Sequence, residues 1–292
     1  MKKKLYRLFI LLFWSVGVQG QAIKSTIHEN PVYRVYYEHH HVRDENNKDE
    51  VYKELMLLKV GTEHAQFISY DKVLSKAVLQ KQVVQEFDMG KEQVNITRGK
   101  VVIPDEIIIS YNTNQALVDA YISRHYVYPE ILSPIDWQLV DSIRTIAGIP
   151  CSFATAQYAG RDWKVWFSLE HAIPAGPWFL RGLPGLIVEA VDNRGEVKYL
   201  FSRLEPAETK NEVLDYLPQY KPIQLSATES SVVTDKADFE KKAYLAKTNP
   251  NLFKKEIDNP LMYSLGGGFD LGVSNDKSWN VVIPNPIALS KL

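Results

Sequence analysis

Apolar and polar positions alternate with period two over much of this chain, which predicts antiparallel β structure. From Val32 to Val42, the residues Val32, Arg34, Tyr36 and Val42 take one parity, and Tyr33, Val35, Tyr37, His39 and His41 the other. The polar stretch Arg43–Glu50 reads as a loop, and Leu55–Val60 and Ala65–Ser69 follow as short strands turned at Gly61. The period then changes. No Gly or Pro occurs from Asp71 to Phe87, and Val73, Leu74, Ala77, Val78, Val83, Val84 and Phe87 recur at helical spacing. The spacing predicts a helix over 71–88, with Asp71 as its cap. Strand-like runs resume at Glu106–Tyr111, Ala116–Tyr128, Asp136–Asp141 and Ser142–Ile146.

Gly160–Ser168 is another such run, followed by a Pro/Gly-rich loop and then Leu186–Asp192. Asn193-Arg194-Gly195 has hairpin-turn composition, with Glu196–Leu204 as the return strand. Helical texture at Ala237–Ala246 and Phe253–Ile257 predicts helix within 236–257, ahead of a Gly- and Asn-rich tail to Leu292. Short strands separated by turns, without alternating β and α units, predict an α+β fold. We expect a predominantly antiparallel, strongly curved sheet or half-open barrel with a few helices, in a single domain over 21–292.

The first twenty residues have the plan of an export signal. Lys2, Lys3, Lys4 and Arg7 precede an apolar stretch from Leu8 to Val18, and Val18-Gln19-Gly20 offers a cut before Gln21. That stretch is short beside the ~20 apolar residues that span a bilayer, and no later one is longer. The expected protein is therefore exported, periplasmic or secreted, with no membrane span after cleavage. The leader holds four of the 34 basic residues and none of the 35 acidic ones, which leaves a mildly acidic remainder. A basic stripe of the kind nucleic acid requires is absent from the sequence. A single cysteine, Cys151, excludes a disulfide within the chain, so stability has to come from a buried core.

The segment Gly182-Leu-Pro-Gly-Leu-Ile187 carries a resemblance to the GLPGLI family of exported Bacteroidetes-type proteins, named for that hexapeptide. Cys151, Ala154, Thr155, Gly160-Arg161, Trp163, Trp166-Phe167, Ile173-Pro174, Gly176-Pro177-Trp178 and the terminal Asn285-Pro286-Ile287 and Leu289 fall in the family's order. The chain departs from it at Phe153, where the family usually has a basic residue, and in the single Ala175 between Ile-Pro and Gly-Pro. The resemblance implies export and a mostly β fold, and brings no activity with it. On its own residues, Pro184-Gly185 suits the centre of a type II turn, with Gly185 at positive φ and Leu186–Val191 leaving as a buried strand. The alternative is a ligand approaching the bare backbone of Gly182 and Gly185.

Candidate chemistry is sparse. Trp166 and Trp178 can line an apolar groove with Arg161 at its mouth, although aromatic rings more often pack than bind. Arg161 can hold an anion, or make an ion pair with Asp162 or Glu189; the ion pair is the favoured reading. His39 and His41 share a strand face and supply two imidazoles, short of a metal site unless His28 or His64 adds a third. No metal or other cofactor is expected. Cys151 can be a nucleophile if His125 or His171 approaches it, against the commoner reading of a small buried residue. Ser69–Lys72 and Ser274–Lys277 match Ser-x-x-Lys without its partner motifs, and Gly266–Gly268 lacks the strand and helix of a dinucleotide site. These observations point to a non-catalytic binding or carrier protein for an apolar or peptide ligand. The alternatives are an envelope hydrolase, or an interaction module whose partner adds a strand at a sheet edge.

Overall fold

The computed structural model describes residues 27–42, 47–89, 103–226 and 231–257. The expected signal peptide, the tail motifs and residues 43–46 of the 43–50 loop lie outside these residues. Among the described residues twelve strands form one open sheet: β1 (Tyr33–Val42), β2 (Val51–Val60), β3 (His64–Ser69), β4 (Glu106–Ser110), β5 (Gln115–Ile122), β6 (Arg124–Ile131), β7 (Gln138–Ile146), β8 (Ile149–Tyr158), β9 (Arg161–Ser168), β10 (Leu186–Asp192), β11 (Val197–Pro206) and β12 (Val232–Val233). Their spatial order is β12-β6-β5-β4-β3-β2-β1-β11-β10-β9-β8-β7, so β12 and β7 are the two edges. Every pairing is antiparallel except the short β12–β6 contact, which is parallel. Among the described residues four helices accompany the sheet: α1 (Tyr70–Asp88), α2 (Glu212–Tyr216), α3 (Lys236–Thr248) and α4 (Pro250–Ile257), with a 3-10 turn at Pro218–Tyr220.

Period-two alternation divides the buried residues between two faces. Val35, Tyr37, Met56, Leu58, Phe67, Ile107, Val118, Trp163, Val165 and Phe167 belong to the larger core, which also takes in Trp178, Phe179 and Leu180 from the loop before β10. Phe239 of α3 closes on it, stacked on Tyr128 at 5.0 Å. Opposite parity gives the smaller core: Tyr36, Leu57 and Ile68 meet Val73 and Ala77 of α1, Leu214 of α2 and Tyr220. α1 starts one residue before the predicted point. Its cap is Ser69, whose hydroxyl accepts from the Lys72 N–H at 2.9 Å, and not Asp71.

The run Ala116–Tyr128, read as one strand, is a hairpin. It turns at Ser123, which takes φ 60° without a glycine or proline to announce it. The Pro184-Gly185 turn also differs from expectation. The glycine at positive φ is Gly182, at 88°, and Gly185 does not adopt that conformation. Gly185 instead lies against β9: a Cβ there would stand 1.9 Å from the Ser168 carbonyl oxygen. Both glycines are needed, one for its dihedral and one for space. Ile187 then accepts a hydrogen bond from the Tyr37 hydroxyl at 2.6 Å, which ties the hexapeptide to β1 through the core.

Candidate binding site

β7 is the exposed edge of the sheet. Among the described residues it pairs with β8 on one side only, and its residues alternate so that Leu139 and Ile143 share the face of the larger core while Val140 and Arg144 share the other. Leu139 is 68% exposed, Val140 43% and Ile143 79%, so large apolar side chains stand in solvent on both faces of one strand. Two extra residues, Asp141 and Ser142, bulge between Val140 and Ile143 and divide the edge into two short runs.

On the outer face, β7, β8 and β9 carry a continuous stripe of side chains. Phe153 and Trp166 are cross-strand neighbours with ring centroids 4.7 Å apart. The Arg144 guanidinium lies 4.5 Å above the Trp166 ring and reaches Glu189 of β10 at 2.6 Å. Further along the same strands, Asp136, Gln138, Thr155, Gln157, Asp162 and Lys164 line an open cleft of about 360 Å³. The Asn193 amide donates to Asp162 at 2.9 Å at the rim. An aromatic and cationic end thus meets a polar end of mixed charge beside a strand edge with no partner among the described residues. Such a surface can hold an extended chain through main-chain bonds, apolar anchors and amide contacts.

The residues picked from sequence are not gathered in one place. Trp178 is buried and faces Trp163 at 6.1 Å, with Tyr158 and Phe179 around it. Trp166 is three residues from Trp163 on an unbroken register with β8, so it points to the opposite face. No groove has both Trp166 and Trp178 as walls. Arg161 is buried and makes its ion pair with Asp192, and with Glu196 at 3.2 Å, in place of Asp162 or Glu189. Gly182 and Gly185 serve the loop and the β9–β10 contact described above.

His39 is buried, stacked on Tyr199 at 4.7 Å, and His41 lies 5.8 Å from it. His64 stands at the far end of the β2–β3 hairpin, bound to Glu29 at 2.8 Å. Among the described residues no group of three His, Cys, Asp or Glu is arranged to hold a metal. Cys151 is buried and donates to the Ile149 carbonyl at 3.3 Å; burial pushes its thiol up to about 11. That thiol is a poor nucleophile at neutral pH.

A buried polar row on the smaller-core face escaped the sequence reading. Glu106 and Asp119 are direct cross-strand partners, both fully buried. Lys72 of α1 pairs with Glu106 at 2.9 Å, and His125 with Asp119 at 2.9 Å. Burial raises the carboxyls; Lys72 more than offsets this for Glu106, while Asp119 stays raised. Neighbouring Asp105 is pushed up to about 8, by burial and then by the Asp119 and Glu106 charges. Lys59 is also buried there, its ammonium donating to the Tyr220 carbonyl at 3.0 Å and to that of Pro222. A charged residue inside an otherwise apolar strand, such as Asp119 in β5, was the available signal.

No family model matches the chain, and no curated protein matches it. Among solved structures it is similar to PNGF-II in two crystal forms, space groups P21 and C2. Identity is 10% in each, covering 72% of this chain and 32% of that one, with TM-scores of 0.46 and 0.48. The chain thus spans about a third of the length of those structures. A likeness of this level carries no argument about activity. No helix among the described residues is long and apolar enough to cross a membrane.

Proposed function

We propose that this chain is an exported binding protein of the GLPGLI type that holds an extended peptide along β7 and the adjoining outer face of β8 and β9. The observation that carries the reading is the β7 edge, with Leu139, Val140 and Ile143 in solvent beside a polar cleft. An edge of that kind is an aggregation liability unless something covers it, and the bulge at Asp141–Ser142 limits edge-to-edge pairing of whole strands. What stays available is the four-residue run Ile143–Ile146 for main-chain bonds, with Leu139 and Ile143 as side-chain anchors. We also propose that the sheet curves as a half-open barrel, because one core holds residues of β4–β6 near one edge and β8–β10 near the other. The loop residues Trp178, Phe179 and Leu180 fill that interior, which supports a ligand site at the rim and not inside. A hydrolase built on Cys151 is disfavoured by the buried, poorly ionised thiol.

Panning a random-peptide phage library over the immobilised protein tests the proposal. Peptides with alternating apolar residues are expected to be enriched, and an Ile143→Lys, Leu139→Lys variant should lose them while its melting temperature stays unchanged. Absence of enrichment, or equal capture by the variant, refutes it.

A further inference from the structure

α1 continues its apolar stripe beyond the part of the fold that supports it. Val73, Ala77, Gln80, Val84 and Phe87 are spaced four, three, four, three, which is the seam of a heptad repeat. The sheet uses only the first half: Val73 and Ala77 are buried against the smaller core, and no residue from Gln80 to Asp88 is buried. Val84 is left 52% exposed and Phe87 62% exposed, in line with the two residues that pack. The buried stripe of the helix thus runs on into solvent without a partner among the described residues.

The charges beside the seam indicate which partner fits. Lys81 and Asp88 are seven residues apart on one flank, next to Gln80 and Phe87, and Lys76 lies on the other flank. When two copies of such a helix run antiparallel, like flanks meet, so Lys81 of each faces Asp88 of the other. In a parallel pair opposite flanks meet; the other flank of the exposed half carries Val83, and Lys76 is held on the fold by the Tyr220 hydroxyl at 2.6 Å, so neither Lys81 nor Asp88 gains an opposite charge. The pattern therefore favours a second copy of this chain in antiparallel orientation and disfavours a parallel one. We infer that the exposed half of α1 is a self-association surface, on which Val84 of each copy packs against Phe87 of the other between two Lys81–Asp88 pairs. Lys81 lies 5.0 Å above the Tyr216 ring in the single chain, within reach of the same flank. The contact spans little more than two helical turns, so it makes a concentration-dependent dimer, not an obligate one.

Sedimentation velocity of the purified protein across a concentration series tests this surface. The expected result is a monomer converting to a dimer as concentration rises, abolished by Phe87→Lys. Lys81→Asp and Asp88→Lys should each raise the dissociation constant roughly tenfold, since each turns two attractions into repulsions. Both together should restore it. These positions are exposed, and an unchanged melting temperature confirms that the variants fold. Three results overturn the inference: a monomer at every concentration, a dimer indifferent to Phe87→Lys, or a double swap no tighter than the single ones. A monomer that pellets with phosphatidylcholine vesicles through Phe87 would assign the stripe to a lipid surface and overturn it too.

Discussion

Gly182 and Gly185 belong to the same hexapeptide, yet replacing each by alanine should cost different amounts for different reasons. At Gly182 an added Cβ finds room, its nearest neighbour being the Trp137 indole nitrogen at 3.9 Å. The penalty there is the left-handed backbone at φ 88°, about 1–2 kcal/mol for a residue with a Cβ. At Gly185 the dihedral is ordinary, but the Cβ would stand 1.9 Å from the Ser168 oxygen and 2.7 Å from its carbon. Ser168 is buried on β9, where it pairs with Leu186, so the neighbour is backbone that cannot turn aside. Opening an ordinary contact means separating β9 from β10 by more than about 1 Å within a close-packed core, which we expect to cost upwards of 3 kcal/mol. Urea unfolding of both variants, at matched slope, measures the two costs. Gly182→Asn should recover part of the Gly182→Ala loss, because Asn tolerates positive φ, and Gly185→Asn should be no better than Gly185→Ala. Equal costs, or a Gly185→Ala variant within 1 kcal/mol of wild type, would refute the steric reading of the motif (~1 kcal/mol being an ordinary mutational effect).

Further outcomes follow from the buried polar groups. Burial lowers Lys59 to about 7, below its value in the unfolded chain, so between pH 7 and 10 the unfolded state binds the extra proton and stability gains from rising pH. The stability of wild type relative to Lys59→Met should therefore climb by up to about 1.4 kcal/mol per pH unit between pH 8 and 9.5, and a flat difference would contradict this placement. His125→Ala leaves the Asp119 carboxyl buried without its partner and should destabilise by roughly 1–3 kcal/mol at pH 7; Asp119→Asn in the same background should recover much of that in urea unfolding. Native Cys151 should react with a thiol reagent such as Ellman's at pH 7.5 only as fast as the protein opens, and rapid labelling would reinstate it as a reactive site.

Much of the sheet was legible because period-two alternation is imposed by burial on two faces. In β1 the two parities read from sequence are the two core faces, with Tyr37 in one and Tyr36 in the other. β9 likewise shows Trp163, Val165 and Phe167 inward. Turns made without glycine were hidden, as at Ser123, because φ near +60° in serine leaves no compositional mark. The site was less legible. Strand parity puts Trp163 and Trp166 on opposite faces of any strand through both, but says nothing of which face the loop residue Trp178 joins, since loops have no period. The partners of Arg161, Asp192 and Glu196, stand on the next hairpin and are brought close by strand pairing alone. That β7 is an edge follows from the order of twelve strands, a long-range property absent from any local window.

Hydrogen–deuterium exchange of the protein with and without a library-selected peptide tests the central claim most directly. Slowed exchange is expected over β7, strongest at Ile143–Ile146, with smaller effects around the cleft at Thr155 and Lys164. Protection elsewhere, or a bound peptide that leaves the β7 amides exchanging at their free rate, would contradict it.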